Sequence, residues 1–236
     1  MDKNFVVKPL KSLGKGVSAL MLNRKFFDKY MQSFRNKKSL HSLVDKQVSL
    51  PIVWLDQVHG TEVHRVQEIK SKLINCTDAL YTESSNLALA IKTADCLPLI
   101  LANEDGSEIS AIHVGWRGLY NGIIENVLSF FKSDLKKINA WLAPCISAEN
   151  YMVGEDVFYS FFNSDKASIS SFQEIEGKNK WFFDLKHESQ RRLEKKGIKI
   201  TTNSLCTYKN KEFFYSHRRD RTLGRMVTLI WKDHEK

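Results

Sequence analysis

The sequence has few of the residues that break or disorder a chain. It contains only 4 proline and 11 glycine residues in 236, and 42% of its residues are hydrophobic. This composition can bury a full core, which excludes collagen-like, low-complexity and disordered chains. No stretch rich in proline, glycine and serine separates two halves, so we expect residues 1–236 to form a single domain.

Long hydrophobic runs are also absent. Even the longest, such as residues 97–102, fall far short of the roughly 18 residues that a membrane helix needs. Residues 1–16 contain no signal-like hydrophobic region. We therefore expect a cytoplasmic protein without a membrane partner.

Paired metal-binding and disulfide motifs are missing too. The four cysteines form no C-x-x-C pair, and nothing indicates an oxidising compartment, so free thiols or a metal ligand are expected. The seven histidines include no H-x-H pair, which disfavours the imidazole-rich centre of a multicopper oxidase. The net charge of +9 is spread over many segments, and we expect a solvated basic surface and no nucleic-acid partner.

The hydrophobic pattern predicts both helices and strands. Aromatic residues recur at helical spacing over residues 23–46, including Phe26, Tyr30 and Phe34. Further helices are predicted at 123–131, 156–162 and 184–196, and strands at 52–55, 79–81, 87–91, 97–101, 109–114, 198–201, 213–215 and 225–231. This order is not a regular βαβ alternation, so we predict an α+β fold with mixed β-sheets covered by helices.

Three segments carry residue types that bind metals. They are QVHG with His59, TADCLP with Cys96 and HVGWRG with His113. Two imidazoles and one thiolate suit zinc, and a fourth position left to water is typical of catalytic zinc. The wide spacing is not a zinc-finger pattern, so the residues alone leave two interpretations open: a shared metal site, or a core histidine, a buried thiol and a turn histidine with separate roles.

Two segments are candidate anion sites. In the first, Gly115 and Gly118 allow a tight turn after a strand, where backbone N–H groups and Arg117 can meet an anion. In the second, the string SHRRDR offers the guanidinium groups of Arg218 and Arg219. The same string is equally compatible with a polar turn that holds a surface ion pair.

The strings QVHG, TADCLPL, HVGWRGL, APCISAENYMVGEDV, CTY and SHRRDRTLGRM, in this order, resemble the YfiH family. This family is also called the laccase-domain or polyphenol-oxidase-named family, peptidoglycan editing factor and purine nucleoside phosphorylase. The resemblance runs from about residue 54 to residue 231. It implies α/β/β/α-like layers similar to those of the cysteine hydrolase fold of bacterial deamidase toxins such as cytotoxic necrotizing factor.

The resemblance also implies site residues. It places a metal on His59, Cys96 and His113, and substrate or phosphate contacts on Arg117, His217, Arg218 and Arg219. Cys96 and Arg117 are then catalytic candidates. Asp95, next to Cys96, is a candidate proton carrier or partner of the metal ligands. His64 matches no ligand of the family and is interpreted as a surface or packing residue.

The implied function is a zinc enzyme that acts on purine nucleosides with phosphate. Its reactions would be phosphorolysis of adenosine, inosine, guanosine or methylthioadenosine, and hydrolytic deamination of adenosine. Zn²⁺ would lower the pKa of water to about 7, and Arg117 with residues 217–219 would hold phosphate. We expect a monomer or a weak homo-oligomer.

Three alternatives remain open. The older family name suggests copper-dependent polyphenol oxidation, and a His₂Cys set also suits copper. A second alternative makes Cys96 a nucleophile and His113 its base, in a hydrolase that edits peptidoglycan precursors. The third is a binding protein that a metal stabilises without any turnover.

Overall fold

The computed structural model describes residues 3–32, 40–221 and 223–233. The strands within these residues are β1 (Val6–Val7), β2 (Val17–Leu22), β3 (Ile52–Leu55), β4 (Val63–Arg65), β5 (Leu73–Ile74), β6 (Ala79–Thr82), β7 (Ala88–Thr93), β8 (Leu97–Asn103), β9 (Ile109–Val114), β10 (Ile138–Leu142), β11 (Met152–Gly154), β12 (Phe172–Ile175), β13 (Lys180–Phe183), β14 (Lys199–Thr202) and β15 (Met226–Lys232). The α-helices are α1 (Arg24–Gln32), α2 (Leu40–Val44), α3 (Trp116–Tyr120), α4 (Ile123–Leu128), α5 (Glu155–Ser164), α6 (Leu185–Lys195) and α7 (His217–Asp220). Short 3₁₀ helices lie at Lys3–Phe5, Leu135–Lys137, Ala148–Asn150 and Lys166–Ser171.

The strands of the described residues form two six-stranded sheets and one small sheet. The first sheet has the order β1-β2-β15-β7-β3-β5, and the second has the order β14-β10-β8-β9-β6-β4. Both are mixed. In the first sheet β7 pairs in parallel with β3 and antiparallel with β15, and in the second β10 pairs in parallel with β14 and antiparallel with β8. The small sheet has the order β11-β13-β12. The predicted α+β class with mixed sheets covered by helices is confirmed.

The two large sheets pack face to face between layers of helices. Alternation along β8 shows the arrangement, because Ile100 packs toward the first sheet while Leu99 and Leu101 pack toward α3–α6. The other face of the first sheet packs on α1 and α2, where Trp54 and Phe26 share a cluster. Every residue of β8 is buried, as its continuous apolar sequence indicates.

Several predicted elements agree with the structure, and one does not. Helix is confirmed at Arg24–Gln32 and at Leu40–Val44, whereas Phe34 lies outside the described residues. The predicted strand at 213–215 is wrong. Those residues form a turn, in which the N–H groups of Phe213 and Phe214 both donate to the carbonyl of Asn210. The apolar run there anchors the turn, since Phe214 is buried between the two sheets.

The pattern missed β1, β2, β4, β5, β10 and the small sheet. β2 lies between β1 and β15 in its sheet and four of its six residues are buried, so it has no alternation of polar and apolar residues. No helix in the described residues combines the length and the apolar character that spanning a membrane requires.

Candidate active site

His59, Cys96 and His113 converge where three strands end. His59 lies in the loop after β3, Cys96 precedes β8, and His113 is the last residue but one of β9. The β8–β9 register pairs Pro98 with His113, which brings Cys96 beside the end of β9. One potential ligand atom from each of the three lies within 4.8 Å of the others, and no other such His, Cys, Asp or Glu group occurs in the described residues.

The distances within this cluster are short. The Cys96 Sγ is 3.8 Å from the His59 Nε2. The centroids of the His59 and His113 rings are 4.7 Å apart, with the rings nearly perpendicular. Two imidazoles and one sulfur therefore face a common point at the edge of the second sheet.

Asp78, which sequence reasoning missed, holds two members of the cluster in place. Its buried carboxylate accepts hydrogen bonds from the backbone N–H groups of Val58 (3.1 Å), His59 (3.0 Å) and Gly60 (2.7 Å). It also contacts the His113 Nδ1 at 2.7 Å. His59 adopts a left-handed φ of 62°, which lets the three N–H groups converge on one carboxylate. The signal that could have revealed Asp78 is an acidic residue directly before the fully buried strand β6.

The same contacts set the charge states in the cluster. Burial alone would lower the pKa of His113, but the Cys96 charge and the Asp78 carboxylate raise it above the usual value. Burial alone would raise the pKa of Cys96, but the His113 charge and hydrogen bonds with both histidines lower it. The favoured metal-free state is a thiolate beside an imidazolium. The Nδ1 contact with Asp78 leaves the Nε2 of His113 for the cluster.

Gly115 is required for the close approach of the loops. A Cβ atom on Gly115 would lie 2.7 Å from the His59 Cδ2 and 3.5 Å from the Cys96 Sγ. A Cβ on Gly118 would lie 2.7 Å from the Gly60 carbonyl oxygen. The turn between β9 and α3 therefore packs directly on the His59 loop, and the two glycines predicted to permit a tight turn serve this packing.

Asp95 connects the Cys96 loop to the C-terminal segment. Its carboxylate accepts hydrogen bonds from the Thr207 hydroxyl (2.7 Å), the Ser216 hydroxyl (3.0 Å) and the Arg218 backbone N–H (2.7 Å). Both carboxylate oxygens are thus engaged in holding the loop. This geometry favours a positioning role over proton transfer.

Arg219 and Arg117, both predicted to contact phosphate, differ in their surroundings. Arg219 uses all five of its guanidinium N–H groups, on Asp220 and on the carbonyls of Thr207, Tyr208 and Phe214. This geometry disfavours a phosphate contact by Arg219, because these bonds leave no guanidinium donor for a ligand. Arg117 is exposed, and its guanidinium carbon lies 4.4 Å from the centroid of the Trp116 ring.

Two cavities meet at Cys96 and His217, which line both. The larger is a cleft of about 580 Å³, whose described lining includes the three clustered residues together with His41, Asp56, Lys92, Thr93 and Arg225. The smaller is a chamber of about 160 Å³, lined also by Ile146, Tyr151, Leu185 and Arg218. Sequence reasoning missed Lys92 and Tyr151; the signal for Lys92 is a lysine near the end of the otherwise apolar strand β7.

Comparison with known proteins places the chain. Residues 15–233 match the family model described as multi-copper polyphenol oxidoreductase laccase. A purine nucleoside phosphorylase of Xylella fastidiosa strain Temecula1 is 38% identical over 195 residues, which cover 79% of this chain and 75% of that protein. The purine nucleoside phosphorylase YfiH of Escherichia coli K12 is 37% identical over 182 residues, covering 76% of this chain and 73% of its own length.

Solved structures show the same architecture. The Neisseria meningitidis protein NMB0706, of family DUF152, superimposes with a TM-score of 0.85 at 28% identity, covering 97% of this chain and 99% of that one. The Bacillus licheniformis YfiH structure has a TM-score of 0.85 at 23% identity, covering 98% of each chain, and supports the fold alone. The chain therefore belongs to the laccase-domain family, also known as YfiH or DUF152.

Proposed function

We propose that this chain is a zinc-dependent purine nucleoside enzyme. Its reactions are phosphorolysis of adenosine, inosine, guanosine or methylthioadenosine, and hydrolytic deamination of adenosine. The observation that carries the proposal is the convergence of His59, Cys96 and His113 at a cleft, in a chain whose relatives at 37–38% identity are named purine nucleoside phosphorylases. A cleft of about 580 Å³ is within the usual size range of small-molecule sites.

The residues of the cluster fit zinc. Two imidazole nitrogens and one thiolate are a typical ligand set for a zinc ion that keeps one position open for chemistry. The Asp78 carboxylate on the His113 Nδ1 is the kind of supporting hydrogen bond that metal-bound histidines have. When bound, zinc supplies Lewis-acid catalysis, which activates water or polarises an oxygen atom of the substrate.

The smaller chamber is suited to the purine ring. Ile146 and Leu185 offer apolar surface and Tyr151 offers a flat ring, and the Arg218 guanidinium lies 5.1 Å from the Tyr151 ring centroid. The Tyr151 hydroxyl is a protonated donor at neutral pH, and burial raises its pKa further above the usual value. We assign His217, which lines both cavities, to the sugar between base and phosphate.

The two reactions make different demands on these residues. Phosphorolysis breaks the bond from the ribose C1′ to the purine nitrogen and forms a bond from C1′ to a phosphate oxygen, with the proton passing to the departing purine. Cations in the cleft stabilise the charge that moves between phosphate and base. Deamination replaces the C6 amino group of adenosine by oxygen from water and releases ammonia, so it requires C6 to approach the cluster.

Zinc is favoured over copper oxidation. A laccase needs several copper centres with many imidazoles. The described residues contain one group of three metal-binding side chains, and the whole sequence has only seven histidines. These metal-binding side chains are enough for one mononuclear metal site.

Product analysis tests the proposal. Zinc-loaded protein is incubated with adenosine, with and without phosphate, and the products are identified by mass spectrometry. Adenine plus ribose 1-phosphate, formed only with phosphate, is expected from phosphorolysis, and inosine formed without phosphate from deamination. The variant His113→Ala should lose both. If folded, zinc-containing wild-type protein forms neither product, the proposal fails.

A second candidate is a cysteine-type hydrolase that acts on peptidoglycan precursors. The observation in its favour is the lowered pKa of Cys96 beside the raised pKa of His113, which is the charge state of a thiolate nucleophile with its imidazole partner. Zinc ligation and free nucleophilicity compete for the same sulfur. If zinc-saturated protein reacts with iodoacetamide at Cys96 as fast as stripped protein, the hydrolase is favoured; protection by zinc favours the nucleoside enzyme.

A further inference from the structure

Charged residues lie in a row at one end of the first sheet, on the face that packs against α1 and α2. On this face the apolar residues of β3, β7 and β15 include Trp54, Ala90 and Val227. Because side chains alternate along a strand, the next residues on the same face toward the cleft are Asp56, Lys92 and Arg225. All three line the cleft.

The strand register fixes this row. β15 pairs Val227 with Lys92, so Arg225 lies two residues further along, toward the Cys96 loop. The Gln57 side chain bonds to both the N–H and the carbonyl of Lys92, each at 2.8 Å, and keeps the end of β3 aligned with β7. The two cations are therefore held on a rigid sheet.

Partial burial strengthens the attraction of Lys92 and Arg225 for an anion. Burial lowers the pKa of Lys92, the nearby Asp56 raises it, and the charge of Arg225 lowers it further. His41 stacks on Trp54 with ring centroids 4.2 Å apart and closes the far side of the cleft. Two like charges held together and partly withdrawn from water gain from an anion placed between them.

We propose that Lys92 and Arg225, with His41, form an oxyanion subsite that binds inorganic phosphate in the cleft beside Cys96. The subsite's role as the co-substrate site rests on the proposed phosphorolysis, whereas its affinity for phosphate does not. It lies on the opposite side of Cys96 from the chamber assigned to the purine. This subsite differs from the phosphate contacts predicted at Arg117 and Arg219. The Arg117 guanidinium stacks on Trp116, and the Arg219 guanidinium is fully hydrogen-bonded.

A binding experiment tests the subsite directly. Inorganic phosphate is titrated calorimetrically into zinc-loaded wild-type protein and into Lys92→Met and Arg225→Gln, at constant ionic strength. Each variant should bind phosphate roughly 10- to 100-fold more weakly, the range expected for one lost hydrogen bond to a charged group. Lys178→Met removes an exposed lysine outside the described lining of the cleft and should bind as the wild type does.

Steady-state kinetics then connects the subsite to the reaction. The KM for phosphate should rise by a similar factor in Lys92→Met, while the KM for the nucleoside changes little. Circular dichroism verifies that each variant is folded, and Lys92→Gln replaces any variant that is not. Arg218→Gln, which alters the smaller chamber, is titrated in the same way. Unchanged phosphate affinity in both Lys92→Met and Arg225→Gln overturns the subsite, as does a loss of affinity confined to Arg218→Gln. Phosphate binding that depends on Lys92 in a protein without phosphorolysis keeps the subsite and refutes the proposed function.

Discussion

Asp78 connects the loop of His59 with the side chain of His113, although it is itself fully buried. Four hydrogen-bonding groups meet at its carboxylate: three backbone N–H groups of residues 58–60 and the His113 Nδ1. A carboxylate has enough acceptor sites for all four, whereas a carboxamide presents one oxygen and one donor group. At the scale of single residues, the alignment of the proposed zinc ligands depends on this charge.

We predict that Asp78→Asn weakens zinc binding by roughly 10- to 100-fold, the usual cost of losing a residue that supports a metal ligand. It should also destabilise the fold by about 1–3 kcal/mol for each buried donor left unpaired. Competition with a chromophoric chelator measures the first effect, and urea unfolding measures the second. Asp105→Asn is the matched control, since Asp105 is exposed in another loop. Equal zinc affinity in the Asp78→Asn and wild-type proteins would refute the positioning role.

Gly115 provides a second prediction at this scale. Gly115→Ala places a methyl group where the His59 ring lies, at 2.7 Å from its Cδ2, so the ring must move. We expect the variant to fold but to hold much less zinc, as determined by metal analysis after dialysis. Gly177→Asn is the control, because Gly177 has a φ of 70° that asparagine tolerates and no contact within 4 Å. Full zinc occupancy in Gly115→Ala would contradict the described packing of the loops.

At the scale of elements, α6 holds an ionic network that supports the helix following His113. The buried Glu188 accepts hydrogen bonds from Arg191 at 2.8 Å and Arg192 at 2.8 Å. Arg192 also donates to the carbonyl of Leu119 in α3 at 2.7 Å. Burial alone would raise the pKa of Glu188, but its arginine partners lower it below 4.5.

This lowered pKa predicts a pH dependence of stability. A carboxyl group whose pKa is lower in the folded state stabilises the fold above its unfolded pKa, and this contribution is lost as the pH falls through the folded value. Glu188→Gln should therefore cost about 3–5 kcal/mol at pH 7, because two arginines lose their buried partner. The difference from the wild type, measured by urea unfolding, should shrink at acidic pH below 4.5. A constant difference across this range would show that the charge of Glu188 does not stabilise the fold.

The elements also show what the sequence could predict. Buried apolar runs such as β8 and amphipathic helices such as α6 leave a clear periodicity, and Asp184 at the start of α6 accepts the N–H of His187 as an ordinary N-cap. β2 and the turn at 213–215 were missed because their apolar residues reflect tertiary packing on both sides.

For the site, the sequence provided the types of ligand but not all of their surroundings. His59, Cys96 and His113 carry recognisable chemistry, and a strand register brings them together. The contributions of Asp78 and Lys92 depend on which loop packs on which strand end, which local patterns do not encode. The partners of Arg219 lie within 12 residues of it, but the sequence pattern does not show that one guanidinium group binds them all.

At the scale of the whole molecule, each large sheet contributes side chains to the core clusters on both of its faces. The second sheet contributes Leu99 to one core cluster and Ile100 to another, and the first sheet likewise contributes Val53 and Trp54 to two clusters.

We propose that residues 1–236 form one domain and unfold in a single cooperative transition. Near- and far-ultraviolet circular dichroism should give coincident melting curves, which zinc shifts to higher temperature. Two separated transitions in the zinc-loaded protein would refute this.

His59, Cys96 and His113 are proposed to form the metal centre together. X-ray absorption at the zinc edge of the purified, zinc-loaded protein reports the ligand atoms themselves. We predict one sulfur ligand at about 2.3 Å and nitrogen or oxygen ligands at about 2.0–2.1 Å, with the sulfur contribution absent from Cys96→Ala. A spectrum without sulfur, or one that Cys96→Ala leaves unchanged, would show that Cys96 is not a zinc ligand.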